Sequence, residues 1–285
     1  MKSFPGWEQL DISSVTPLKI EKSWIATRSR IRRRERWRLW QRFVVAASLF
    51  AVIITPLAAW LWVSRHQASV PNLCQVSTRR GEVREVILPD GTKAVLNAES
   101  MLVYPESFVS ERSVFLSGEA SFDVTSDESH PFYVNTSDVT VKVHGTRFDL
   151  KAYYDEPIVE ATLYRGVITA YPRGQEERSV TLQPNQCFSY FKTGGAITTA
   201  SVNALESIAW ENGNLCFRSS SVRDVIKTLE RRYDVSIVLT STKYDSTAIT
   251  ASFIHGETLD DLLGAICMIV PGMQFERSGN TIILE

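Results

Sequence analysis

Between Phe43 and Val63 the chain has no Asp, Glu, Lys, Arg or His across 21 residues. That absence excludes a water-facing helix, because no position marks a polar face. At about 1.5 Å per residue a helix of this length reaches roughly 31 Å, enough for a hydrocarbon core of about 30 Å. A backbone in lipid must satisfy its own hydrogen bonds, so a helix is expected. Trp60 and Trp62 fall near the far end, where indole rings favour the interface. A secretory signal has an apolar region of about 7–15 residues behind a short basic start. Here 42 residues come first, and "RHQASV" after the run is a poor small-residue cleavage site. The run therefore reads as a single membrane anchor.

Cysteine is scarce. There are four, Cys74, Cys187, Cys216 and Cys267, and none precedes the apolar run. No CxxC and no Cys/His spacing suited to zinc occurs, so no metal site and no cofactor are expected. In an oxidising compartment the four cysteines allow three pairings. The alternative, four small buried hydrophobes, stays open. Catalytic signatures are missing too: no G-x-S-x-G elbow, no HExxH and no GxxxxGK loop. His66 lies at the membrane edge, and His130, His144 and His255 stand in no catalytic pattern, His144 on the expected solvent face of a strand. The carboxylates in "SGEASFD" and "GTRFD" read as solvated side chains. An enzyme is not expected.

Charge is present but lopsided. Residues 1–42 carry 11 Lys/Arg against 4 Asp/Glu, and residues 64–285 carry 20 against 28. The overall net charge of −1 conceals this bipolarity. Lys and Arg packed beside a spanning helix stay in the cytoplasm. The N-terminus is expected inside and the bulk of the chain outside. Adjacency to the membrane explains the basic run more simply than nucleic-acid binding, so no direct nucleic-acid partner is expected.

Beyond the anchor, two architectures follow a linker over 64–75. From 76 to 203 the pattern is all-β. "VTVKVHG" alternates Val139, Val141 and Val143 with Thr140, Lys142 and His144, and "EASFDV" alternates Ala120, Phe122 and Val124 with Glu119, Ser121 and Asp123. Such alternation puts one face on a core and the other in solvent. "LPDGTKAVLN" carries Asp90-Gly91 between two such runs, a hairpin signal in which both central residues take φ > 0. An antiparallel sandwich or stacked meander is predicted. From 204 to 285 the pattern becomes strand–helix–strand, twice. Val222, Val225, Ile226 and Leu229, then Leu259, Leu262, Leu263 and Ile266, repeat at helical spacing. Ser221 with Asp224, and Thr258 with Asp261, predict the helix N-termini. The expected fold is a small α+β domain of duplicated βαβ units closing on one small sheet.

These stretches carry a family resemblance. "LPDGTKAVLNAESMLVYP", "RSVFLSGEASFDV", "PFYV", "HGTRFDLKAY" and "LYRGVITAY" resemble the periplasmic region of FecR-type transmembrane anti-sigma factors. "WENGNLCF", "SVRDVIKTLERRYDVSIVL" and "ETLDDLLGAICMIVPGMQF" resemble the C-terminal domain of the family's Bacteroidetes members, itself similar to the short N-terminal domain of secretins and TonB-dependent transporters. The resemblance implies a single-span protein of the inner membrane, N-terminus cytoplasmic and C-terminal region periplasmic. Its implied partners are a cytoplasmic extracytoplasmic-function sigma factor, the signalling domain of a TonB-dependent outer-membrane transporter, and membrane proteases that release the sigma factor. The family's cytoplasmic part is commonly longer than the 42 residues here. Within them Ile20, Trp24, Thr27 and Ile31 share one helical stripe, expected either to dock a sigma factor or to lie on the membrane interface. Thr55 and Pro56 are expected to weaken the spanning helix at an intramembrane cleavage region. The alternative reading is a membrane-anchored periplasmic adaptor or glycan-binding module with no sigma partner.

Overall fold

The period-two stretches form strands whose apolar members point inward. The computed structural model describes residues 54–57, 59–62 and 72–285, with Ser110, Ser246 and His255 excepted. The basic segment 1–42 with its stripe Ile20, Trp24, Thr27 and Ile31, most of the predicted span and most of the predicted linker lie outside the described residues. Residues 54–57 and 59–62, Thr55 and Pro56 among them, are helical and exposed. Among the described residues no helix is long and apolar enough to cross a membrane.

Residues 71–285 form one compact unit, built from a β module and a smaller α+β module. In the β module, β1 (Leu73–Ser77), β4 (Met101–Pro105), β6 (Phe132–Asn135), β7 (Val139–Val143), β10 (Ile168–Pro172) and β11 (Val180–Leu182) make one sheet with the first half of β5 (Arg112–Asp123). The second half of β5 joins β2 (Arg84–Ile87), β3 (Lys93–Leu96), β8 (Arg147–Ala152), β9 (Ile158–Arg165), β12 (Gln186–Phe191) and β13 (Ile197–Ser201) in the other. β1 begins inside the segment read as linker and pairs with β4, Leu73 opposite Pro105.

The long strand changes sheets at Gly118. Residues up to Ser117 pair with β4, and Gly118 opens the pairing with β8 opposite Ala152. Its φ is +108°, and a Cβ there would sit 2.3 Å from Ser100 Oγ and 2.6 Å from Ser100 Cα. Only glycine accepts both the angle and the approach. Between the sheets lies an apolar core that includes Leu96, Leu102, Leu116, Phe122, Phe132, Phe148, Leu150, Leu163 and Phe188. Phe122 and Phe148 stack with centroids 5.3 Å apart.

Two sequence expectations are corrected here. The β5–β6 pairing is parallel, Arg112 opposite Phe132, so the module is not wholly antiparallel. The Asp90-Gly91 turn does reverse the chain between β2 and β3, but only Gly91 has positive φ, +81°. Asp90 serves as an acceptor instead: its carboxylate takes the Thr92 N–H at 3.0 Å and an Arg112 Nη1–H at 3.1 Å. An aspartate that bonds its own turn fixes a wider loop than the two-residue hairpin requires.

The α+β module starts with α1 (Ala204–Ser207) and a 3-10 turn at Ala209–Asn212, then β14 (Leu215–Ser221), α2 (Val222–Tyr233), β15 (Ser236–Leu239), β16 (Ala248–Phe253), α3 (Leu259–Ile269), β17 (Phe275–Ser278) and β18 (Thr281–Leu284). Both predicted caps are present. Ser221 Oγ accepts from Asp224 N, and Thr258 with Asp261 forms a reciprocal capping box. The predicted stripes of α2 and α3 are buried together in a second core. The repeat does not close on one sheet. β14 pairs antiparallel with β16, while β15 pairs parallel with β18 and β17 antiparallel with β18. The first strands of the two units pair with each other, and the strands after the helices build a separate sheet, so the helices are shared between two small sheets.

Candidate functional site

The outer face of the second sheet was expected in solvent, yet much of it is covered. Ser121, Asp149, Thr162 and Cys187 are directly opposite one another on β5, β8, β9 and β12. All four are buried, each less than a tenth exposed. They form a polar row, back to back with the apolar core. Three residues of the α+β module, Ala204, Ile208 and Trp210, are buried but belong to neither apolar core. Trp210 Nε1–H donates to Asp149 Oδ1 at 3.3 Å. One residue further along, Glu211 reaches Arg147 at 3.3 Å.

Asp149 therefore corrects the expectation of a solvated carboxylate. Burial, reinforced by the charge of Glu119, holds its carboxyl well above the ordinary range, against the Trp210 hydrogen bond. Glu119 is raised as well, by burial first, although Lys151 and Asn97 pull it down. A carboxyl cut off from water resists ionisation unless charges or donors compensate.

The second attachment is ionic. Arg231 lies at the end of α2 with its side chain only 6% exposed. Its guanidinium binds the Glu156 carboxylate through Nη1, Asp155 Oδ1 at 2.7 Å through Nη2, and approaches Glu99 at 3.5 Å. It sits 3.6 Å above the centre of the Tyr153 ring, a cation–π contact strengthened by exclusion of water. Tyr153 is itself fixed by donating to the Ala98 carbonyl at 2.8 Å. Lys151 completes the cluster, 2.9 Å from Glu156. Burial works against every charge here, but the charges decide. Lys151 and Arg231 hold Glu156 below its usual value, Glu156 and Glu119 hold Lys151 above its own, and Glu156 raises Arg231.

The backbone contributes too. The Arg231 carbonyl, which the last turn of a helix leaves without an internal donor, accepts the Gly81 N–H at 2.7 Å. Lys227, one turn earlier on α2, bonds the Asp155 carbonyl and lies 3.1 Å from its carboxylate. The α2 end thus rests on the turns after β1, β3 and β8.

Between the two attachments runs a cleft of about 270 Å³. One wall carries Glu119, Lys151 and Glu160, and the other carries Arg218, Asp224 and Trp210. Its charges are largely matched in place: Arg218 with Glu206 at 2.6 Å and Lys151 with Glu156. Cys187 and Cys216 also line it, from opposite modules, and both are free thiols, as are Cys74 and Cys267. Burial, then the Glu160 charge, pushes the Cys187 thiol up to about 11, which removes the reactive thiolate at neutral pH. Of the four only Cys187 is buried, and the other three are partly exposed. Among the described residues no group of three or more His, Cys, Asp and Glu is arranged to hold a metal ion. The arrangement holds two modules together with bonds that water could replace.

Apart from Cys187 and Cys216, noted only as cysteines, these junction residues did not stand out in the sequence. Arg231 lies in "LERRY", where a charged pair at a helix end reads as solvated, and Asp149 occupies a polar position of an alternating strand. Of the residues singled out there, Thr55 and Pro56 lie in the helical residues 54–57. His130 and His144 are exposed, His130 Nδ1 pairing with Asp127 at 2.9 Å.

Comparison with known proteins agrees with this two-module layout. The family described as FecR protein matches residues 75–169, and FecR, C-terminal, matches residues 214–284. A crystal structure at 2.50 Å of a candidate anti-sigma factor from Parabacteroides distasonis ATCC 8503 is 32% identical, with a TM-score of 0.71 over 75% of this chain and 98% of that one. A second, at 1.65 Å and also described as a candidate anti-sigma factor from that organism, gives 31% identity and a TM-score of 0.70 over 74% and 98%. No curated protein matches the chain. Both modules, their order and their joint fold being shared with such a protein, the chain belongs to the FecR family of anti-sigma factors.

Proposed function

We propose that this anti-sigma factor spans the inner membrane once and relays a signal from an outer-membrane TonB-dependent transporter to a cytoplasmic extracytoplasmic-function sigma factor. The observation that carries the reading is the pairing of two FecR-family modules in one compact unit beyond an uncharged run of 21 residues and a basic N-terminal segment. A ligand on one side of a membrane influences a partner on the other only through an element that both ends share. The run 43–63 is that element, and the excess of Lys and Arg before it sets the direction.

In this reading the stripe Ile20, Trp24, Thr27 and Ile31 contacts the sigma factor as a helix laid into a groove. The Thr55–Pro56 region weakens the spanning helix for proteolysis, since proline removes a backbone donor. The transporter's signalling domain meets residues 72–285.

A reporter for the sigma regulon, with and without this gene, tests the reading. Constitutive expression on deletion identifies an inhibitor, and loss of expression identifies a chain also required for activation. Unchanged expression returns the chain to a membrane-anchored adaptor. A pull-down with residues 1–42 locates the sigma contact, with Trp24→Ala expected to weaken it. Pro56→Leu is expected to slow release of the sigma factor, read as persistence of the uncleaved chain on immunoblots.

A further inference from the structure

We propose that residues 203–285 form a detachable cap on the β module, latched by Arg231 and separable from it without unfolding either part. Three observations lead there. First, the two apolar cores share no residue: one draws on residues 76–197 and the other on residues 215–284. Each core closes within its own module; of the cap's buried apolar side chains only Ala204, Ile208 and Trp210 lie outside it. Second, apart from the Trp210 and Tyr153 rings the surfaces that meet are largely polar. They comprise the row Ser121, Asp149, Thr162 and Cys187, the Arg231 cluster, and a cleft of about 270 Å³ that side chains leave unfilled. Polar contacts contribute little net free energy because water replaces them on separation, and polar interfaces between modules commonly permit relative motion. Third, three of the ion pairs across the joint centre on one side chain. One guanidinium meets Glu156, Asp155 and Glu99 and stacks on Tyr153, while the connection along the chain narrows to Val202 and Asn203, between β13 and α1.

Opening at that connection lifts Trp210 from Asp149 and Arg231 from Glu156. It exposes the outer face of β8, β9 and β12, and with it Cys187. The latch is asymmetric. Glu156 keeps Lys151 at 2.9 Å when the cap leaves, whereas Arg231 must find water. The proposal concerns the joint between the modules and is independent of which partner the cap meets.

The chain carries its own reporters. Cys187 lies beneath the cap and is buried. Cys267 packs against the core of the cap itself. The test is maleimide labelling of the full-length chain at neutral pH, resolved by site with mass spectrometry, in the native protein, Arg231→Met and Glu156→Gln. The closed joint protects Cys187 in the native chain. Removing one partner of a buried ion pair shifts such an equilibrium by roughly 100-fold, so Arg231→Met is expected to label Cys187 about that much faster while Cys267 keeps its native rate. Glu156→Gln, on the other module, is expected to act in the same direction and more weakly. Cys187 and Cys267 accelerating together would mean that the modules unfold as one body, which overturns the proposal. Native protection of Cys187 in both variants would overturn it as well.

Discussion

The second sheet of the β module has two covered faces made by the same strands, and they differ completely. Inward, β5, β8, β9 and β12 present Ala120, Phe122, Phe148, Leu150, Ala161, Leu163 and Phe188, all wholly buried. Outward, they present Ser121, Asp149, Thr162 and Cys187, almost as deeply buried. The inner face is what makes the strands a domain, because apolar area removed from water stabilises it by roughly 25 cal/mol per Å². The outer face is what lets that domain hold a second one by specific bonds. Depth of burial alone therefore does not separate a folding core from a joint; the chemistry of what is buried does.

The largest way to break that contrast is Phe148→Ala. Its ring stacks on Phe122 in the core, and a cavity there is expected to cost about 3–5 kcal/mol, read as a lower midpoint in chemical denaturation. On the outer face, Trp210→Phe keeps an aromatic ring but removes the donor to Asp149. About 1–3 kcal/mol is the expected loss, together with faster labelling of Cys187. A loss from Trp210→Phe equal to that from Phe148→Ala would erase the distinction between core and joint. Within the cap, Thr258→Ala removes the α3 capping box and is expected to cost about 1 kcal/mol without altering Cys187 labelling.

The smallest effect is one of pH. The raised carboxyls of Asp149 and Glu119 bind protons more tightly folded than unfolded. Their contribution is fully present below the unfolded carboxylate value and is lost as pH rises through the folded values. The depressed Glu156 has the opposite sign: its contribution is present above the unfolded value and disappears as pH falls through the folded one. Asp149→Asn keeps an acceptor for Trp210 and carries no charge. Thermal melts across the pH range are expected to show a smaller decline in stability on the alkaline side than in the native protein. An unchanged profile would mean that Asp149 is already ionised in the joint.

Much of each module was legible because local patterns carry it. Val139, Val141 and Val143 announced a strand and its inward face, and all three are buried. Ser221 and Thr258 announced the helix starts, since a hydroxyl facing an orphan amide is a contact a few residues long. The single sheet expected of the cap was not found, because which strands pair is a long-range choice. Its helix stripes look the same whether the flanking strands join one sheet or two. Arg231 and Asp149 were missed for a related reason. Each looks solvated among its sequence neighbours, and its partners lie 75 residues away at Glu156 and 61 away at Trp210.

By itself, the sequence determined the order of the modules, the strand faces, the helix caps and the separation of basic from acidic halves, all of which follow from spacing and charge along the chain. Tertiary structure alone decided that one polar face is buried, that a helix-end arginine becomes a latch, and that two carboxyls are held above their ordinary values. The reason is desolvation: a side chain's environment is set by what lies across from it in space, and sequence distance does not report that.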